Sequence, residues 1–154
     1  MINVISLGAG VQSTCMALMA AQGEITPMPD AAIFADTKSE PQRVYDHLKW
    51  LTSGNVLPFP VYIVSAGSLA DNIGKPRPKG VWKHMPIPAF IEGKDGRPAL
   101  ANRSCTRDFK IIPIIKKVRA LAGLTGKRAP KHPVATQWIG ISTDEAHRMK
   151  PARD

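Results

Sequence analysis

The chain has 154 residues, enough for one domain and marginal for two. Its 44% hydrophobic and 21% charged residues exclude a disordered polyelectrolyte, and no apolar run reaches the roughly 18–20 residues of a membrane span. A formal net charge of +9 points to a polyanionic partner, either a polyphosphate or a nucleic acid, set against the plain alternative of a solvated basic surface.

The N-terminus, Met1-Ile2-Asn3-Val4, enters an apolar strand directly, without the charged start and long apolar stretch of a secretory leader. The cysteines are Cys15 and Cys105 alone, so neither a disulfide framework nor a paired-cysteine metal knuckle is available. These features place the expected protein in the cytoplasm, away from any membrane.

Ile2 to Leu7 reads as a buried strand that ends in the turn of Gly8 and Gly10. Residues 13–22 are rich in Ala, Met and Leu and predict a helix closed by Gly23. Ala31 to Ala35 is the second strand. Ser39 and Gln42 are spaced as a capping box, and the helix they would open carries Val44, Leu48 and Leu51 on one face. Val61 to Val64 is the third strand, and a short helix capped by Ser68 follows. Alternation of this kind implies an α/β fold, a Rossmann-like three-layer arrangement with a mostly parallel sheet.

Residues 74–104 interrupt the rhythm with Pro76, Pro78, Pro86, Pro88 and Pro98, and predict a long Pro-rich loop insertion or lid. Within it, Ile87 to Ile91 and Pro98 to Ala101 can pair around Gly93-Lys94-Asp95-Gly96. Ile111, Ile114, Ile115, Val118 and Ala122 then form a helical stripe closed by Gly123, with Pro113 either in the first turn or at a kink. Gln137 to Ile141 is the fourth strand, and a helix beginning near Thr143 runs out at Asp154. The expectation is a single domain over 1–154, and whether a further C-terminal part belongs to it stays open. Lys75, Arg77, Lys79 and Lys83 crowd one loop, and Lys127, Arg128 and Lys131 another.

The chemistry points to residues 6–14, Ser-Leu-Gly-Ala-Gly-Val-Gln-Ser-Thr, between the first strand and the first helix. Glycines there let the backbone approach a phosphate, and Ser13 and Thr14 add hydroxyls where the helix dipole favours an anion. The loop has no Lys-Ser/Thr of a Walker motif and no third glycine of the dinucleotide fingerprint. On composition alone it also reads as an ordinary Gly-rich strand-to-helix turn.

Ser6 to Thr14 resembles the SFSGGKDST loop of the PP-loop superfamily, the N-type ATP pyrophosphatases and phosphoadenosine phosphosulfate (PAPS) reductases. Ser6, Gly10, Ser13 and Thr14 match; Gly8 replaces a Ser, Ala9 a Gly, Val11 a Lys and Gln12 an Asp. Asp36-Thr37-Lys38 is similar to the Asp-Thr-Gly that ends the second strand in the reductase branch, with Lys38 for Gly. Cys105 to Ile114 resembles that branch's cysteine-lysine-proline segment, and Gly140 to Arg148 its Gly-Glu-Arg element after the fourth strand.

The resemblance implies ATP or a related adenine nucleotide, PAPS or adenosine phosphosulfate included, at the carboxyl ends of the strands. Ser6, Gly8, Gly10, Gln12, Ser13 and Thr14 would hold phosphates. Asp36 and Thr37 would lie beside the nucleoside. Cys105, Lys110, Glu145 and Arg148 would serve catalysis, the cations neutralising phosphate or sulfate charge. Magnesium is a candidate companion of the nucleotide, although the loop Asp that could hold it is Gln12. The Glu-Cys-Gly-Leu-His segment of the reductases is missing, and two cysteines cannot complete a four-thiolate cluster. Adenylyl or sulfur-group transfer is the expected reaction. A non-catalytic nucleotide module that contacts nucleic acid through its basic loops is the alternative, and a homo-oligomer stays open.

Single residues carry two readings each. Cys105, between Arg103 and Arg107, sits where a thiolate is favoured, or is incidental. Cys15, among Leu18 and Met19, reads as core. Glu145 and Arg148 share a helix face, as site residues or as a surface pair. Trp138 reads as core, while Trp82, in a Lys-rich loop, is placed to stack on a base. His47, His84, His132 and His147 have no metal-ligand spacing, so no protein-held metal is expected.

Overall fold

The structure is a computed structural model that describes residues 1–72, 90–100, 105–128 and 130–149. Four strands, β1 (Ile2–Leu7), β2 (Ala31–Ala35), β3 (Val61–Val64) and β6 (Ala135–Ile139), form one parallel sheet in the order β3-β2-β1-β6. The interior strands are apolar on both faces, and every residue of β2 is buried, as a parallel sheet covered by helices requires.

Side-chain alternation along the strands divides the core in two. Ile5, Leu7, Ala32 and Phe34 face α1 (Val11–Ala21) and α2 (Gln42–Leu51), which contribute Ala17, Ala20, Leu48 and Leu51. Val4, Ala31, Ile33 and Ala35 face the opposite way, onto Ile114 and Val118 of α3 (Ile112–Leu121). Helices therefore cover both faces of the sheet, which is compatible with a Rossmann-like α/β fold.

The predicted elements are present, with shifted boundaries that have local causes. α1 begins at Val11 with Gly10 as its N-cap, two residues before the predicted start. The capping box at Ser39 and Gln42 does not form. A residue before proline is pushed out of helical geometry, so Glu40 cannot join the helix and Pro41 becomes the N-cap. Ser39 Oγ instead accepts the Ala70 N–H at 3.2 Å, tying the β2 exit to the 3-10 turn Ala70–Asn72. That turn is capped as expected, by Ser68 Oγ on the Asp71 N–H.

The Pro113 alternatives resolve in favour of the first turn, since Pro113 is the second residue of α3. A π-helical turn, Arg107–Ile111, leads into it. Its wider winding carries Ile111 off the buried stripe, leaving it half exposed. Ile115 is also exposed, so the buried face of this helix rests on Ile114 and Val118 rather than the full predicted stripe. β6 ends at Ile139, two residues before the predicted end. The parallel ladder runs from Ile2↔Ala135 to Ser6↔Ile139 and stops one residue before the end of β1.

β4 (Phe90–Glu92) and β5 (Pro98–Leu100) pair antiparallel around Gly93–Gly96. This is the hairpin expected inside the Pro-rich stretch. The rest of that stretch, with Lys75, Arg77, Lys79, Trp82, Lys83 and Arg103, lies outside the described residues. Trp138 is half-buried against the α1–α2 core, as expected for a strand position. Cys15 is the correction: it is exposed on α1, on the side of the helix away from Ala17 and Ala20. Among the described residues no helix is long and apolar enough to cross a membrane.

Candidate functional site

The chain steps from β1 to β2 to β3 in one direction, then returns to place β6 on the other side of β1. Open α/β sheets bind ligands at such a reversal, in the crevice beyond the carboxyl ends of the strands. In this chain the crevice is bounded by the loop after β1 and the segment after β6.

The loop is held by its own side chains. The Gly8 N–H donates to Ser13 Oγ at 3.1 Å, and the Ser13 hydroxyl donates to the Gly10 carbonyl at 3.3 Å. Thr14 Oγ1 lies 3.0 Å from His47 Nε2 of α2. Ser13 and Thr14 are both buried, so the two hydroxyls assigned to phosphate contact brace the loop and join α1 to α2. Ser6 lies within β1, half-buried, paired with Ile33 and Ile139. No side chain caps α1, and the first N–H groups of a helix have no acceptor within it. The backbone at residues 10–12 is thus the part of the loop that presents donors.

Gly140 fixes where that backbone lies. A Cβ added there would sit 2.8 Å from Gln12 C, 2.9 Å from Ser13 N and 3.0 Å from Gln12 O. The end of β6 therefore carries α1 directly on its main chain. Gln12 Nε2 reaches Ser142 Oγ at 3.5 Å across the same seam. Gly8 and Gly10 differ from Gly140. Neither has a positive φ, and a Cβ on either would meet only ordinary contacts, 3.6 Å to Ser13 Oγ and 4.0 Å to Gln12 Oε1. The fold does not require glycine at these two positions.

Two residues other than glycine have a left-handed backbone, Ala9 at φ 52° and Lys38 at φ 57°. This conformation costs an L-residue roughly 1–2 kcal/mol. They follow β1 and β2 respectively, one at each of the two neighbouring loops.

The β2 loop gathers charge. Asp36, buried at the strand end, accepts from the Lys38 N–H at 2.8 Å and the Tyr45 hydroxyl at 3.0 Å, and pairs with the Lys38 ammonium at 2.9 Å. Burial pushes the Asp36 carboxyl up, but the Lys38 and Tyr45 hydrogen bonds outweigh it and hold the group below its ordinary value. Thr37 Oγ1 donates to Glu40 Oε1 at 3.0 Å, and Lys110 Nζ sits 3.2 Å from the same oxygen. Asp36, Thr37 and Lys110 are thus assembled in one network, with Glu40 and Tyr45 as members that motif matching missed. The signal for them was present in the local spacing, since Glu40 and Tyr45 bracket the start of α2.

The other predicted residues are more dispersed. Cys105 opens the helical segment ahead of the π turn and is half-buried, with Arg107 exposed after it. Glu145 is half-buried in the 3-10 turn Thr143–Arg148, whose N–H donates to Ser142 O. Arg148 closes that turn, and its side chain lies outside the described residues. Gln12 therefore meets the start of the Gly140–Arg148 segment through Ser142, while Cys105 joins the site through the chain that carries Lys110.

Between α1 and α2 runs an open, mainly apolar cleft of about 820 Å³, lined by Gly10, Val11, Thr14, Cys15, Arg43 and His47 among others. Ligand clefts typically span about 300–1,000 Å³, and this one lies within that range. Among the described residues no three His, Cys, Asp or Glu side chains converge as a metal site. Lys127, Arg128 and Lys131 are exposed in the loop before β6. Its end pairs with the start of β1 through Ile2 N–H to Val134 O, which puts these cations at the opposite end of the sheet from the Gly-rich loop.

In an alignment 160 positions long that covers 98% of its length, the chain is 27% identical to the uncharacterized nin region protein ORF290 of Escherichia phage lambda. The alignment covers 51% of that protein, so the chain spans about half the length of the curated relative it matches. No family model matches the sequence, and no solved structure matches it.

Proposed function

We propose that the chain binds ATP or a related adenine nucleotide, PAPS or adenosine phosphosulfate included, in the manner of the PP-loop proteins it resembles. The observation that carries this reading is the backbone at Ala9 and Lys38. The SFSGGKDST loop and the Asp-Thr-Gly segment have glycine at the positions of Ala9 and Lys38, and these are the described non-glycine residues with positive φ. A chain keeping a glycine conformation after losing the glycine, twice, supports a shared loop geometry rather than a chance match of letters. Gly8 and Gly10 add support, because a Cβ at either would meet only ordinary contacts, so the fold itself gives no reason for glycine there.

In this reading the unpaired N–H groups around Gly10 to Gln12 receive the phosphates at the positive end of α1. Asp36 and Thr37 flank the nucleoside, and Lys110, steadied by Glu40, faces phosphate or sulfate charge. The reaction supported is adenylyl transfer, in which an acceptor nucleophile bonds to the α-phosphorus and pyrophosphate leaves with the bridging electron pair. Sulfur-group transfer, with Cys105 as the thiol, is the other form. Glu145 and Arg148 belong to the segment that would close over the reacting groups. Magnesium would enter with the nucleotide, since Gln12 replaces the loop Asp and Asp36 is already committed to Lys38 and Tyr45. Pyrophosphate release from ATP, with and without magnesium, tests the transfer reading; ATP bound and returned intact would leave a binding module.

That module, contacting nucleic acid through basic loops, is favoured by one observation: Lys127, Arg128 and Lys131 are exposed together, away from the nucleotide end. Such contact would be steeply salt-dependent, because each phosphate contact releases a counterion. Fluorescence anisotropy with labelled tRNA and duplex at two salt concentrations tests it. No binding at low salt removes the nucleic-acid partner.

A further inference from the structure

We propose that Arg43 is the phosphate-binding cation of this cleft, supplied from α2 in place of a cation on the loop itself. The inference rests on the nucleotide reading above and deepens it by naming the residue that recognises the anionic chain.

The Gly-rich loop carries no cation. Its exposed side chains are Val11, at 83% exposure, and Gln12. A polyphosphate laid on the helix N-terminus would meet only partial positive charge from the backbone. The structure provides a full charge from the neighbouring helix. α1 and α2 both follow parallel strands, both pack on the same sheet face, and both begin at the carboxyl ends of the strands. Their register is set by the contact of Thr14 Oγ1 with His47 Nε2 at 3.0 Å.

Four residues toward the N-terminus on each helix, about 6 Å along the axis, lie Gly10 and Arg43. One turn above a fixed contact, the uncapped end of α1 thus stands level with the backbone of Arg43. Both residues line the same cleft, together with Val11, Thr14 and His47. Arg43 is exposed and takes part in no ion pair among the described residues. The nearby acids are otherwise engaged. Asp46 accepts from Gln42 Nε2 at 3.0 Å, Glu40 is held by Thr37 and Lys110, and Asp36 by Lys38 and Tyr45. An uncommitted guanidinium that shares a cleft with uncapped N–H groups suits a phosphate chain, because its planar fork binds two phosphate oxygens at once.

The test is calorimetry of ATP with the wild type, Arg43→Gln and Arg43→Lys at low and moderate salt. Gln is a good helix former at an exposed position, so the fold is retained, and circular dichroism verifies it. The expected result is an affinity loss on the order of tenfold or more for Arg43→Gln. That loss should shrink at the higher salt, and Arg43→Lys should keep a large part of the affinity. An unchanged ATP affinity in Arg43→Gln overturns the proposal. So does a loss of the same size at both salts and in Arg43→Lys alike, since that is the mark of lost shape rather than lost charge. A wild type that binds no ATP fails at an earlier step: it refutes the nucleotide reading and takes this inference with it.

Discussion

Replacing Gly140 with Ala should destabilise the protein more than any other single methyl added at the loop. The new Cβ would lie 2.8–3.0 Å from three main-chain atoms of Gln12 and Ser13, where carbon contacts are normally about 3.5–4.0 Å. Backbone at the first turn of α1 cannot swing aside as a side chain can, so β6 and α1 must separate by some tenths of an ångström. Overpacking of this kind costs about 1–3 kcal/mol, which corresponds to a fall in Tm of about 2–12 °C for a chain of this size. Gly8→Ala is the matched control. Its Cβ would meet Ser13 Oγ at 3.6 Å, an ordinary contact, and its φ suits an L-residue. Reduced unfolded-state freedom should leave it as stable as the wild type or about 0.4–1 kcal/mol more so. Urea unfolding of the three proteins measures both effects. Equal stability of Gly140→Ala and wild type would refute the close approach of β6 to α1, and with it the crevice described at that seam.

The left-handed backbone at Ala9 predicts that Ala9→Val costs about 2 kcal/mol or more in urea unfolding, since a β-branched side chain resists φ 52°. Ala9→Gly should change stability by less than about 1 kcal/mol, as relief of strain is offset by a freer unfolded chain; equal losses in both variants would contradict the assignment. Tyr45→Phe removes a donor from the Asp36 carboxylate and should cost about 1.5 kcal/mol at neutral pH. Because the folded Asp36 pKa is depressed, its contribution is fully present above the ordinary carboxylate value of about 3.8 and is lost as pH falls through the lower folded value. The gap between Tyr45→Phe and wild type should therefore narrow below pH 4, and a gap independent of pH would remove Asp36 as its source.

The parallel sheet was legible because buried strands are short apolar runs bounded by glycine and polar residues, and because helix and strand alternate. Boundaries were less so. Pro41 overrides the capping spacing of Ser39 and Gln42, and the extent of β6 is set by its ladder with β1, a partner 133 residues away in sequence that no local pattern encodes. Cys15 was misread because its neighbours Leu18 and Met19 are apolar, yet on a helix it is Ala17 and Ala20 that face the sheet. At the site, the loop stood out through its glycines, but the work done by its hydroxyls did not. Ser13 and Thr14 look like phosphate donors in sequence, and in the folded chain one closes the loop and the other holds His47. Arg43 and His47 were silent as motifs because their meaning comes from the register of α2 against α1, which only packing fixes.

The most direct test of the account is calorimetric titration of ATP into the wild type and Gly10→Val. Gly10 has φ −93° and ψ 175°, extended geometry that Val adopts readily, so the variant keeps its fold and loses only the open space above the loop. The account predicts wild-type binding in the micromolar to millimolar range, about −4 to −8 kcal/mol, and its loss or severe weakening in Gly10→Val. Absence of binding by the wild type, or equal affinity in both proteins, would contradict the claim that this loop receives a nucleotide.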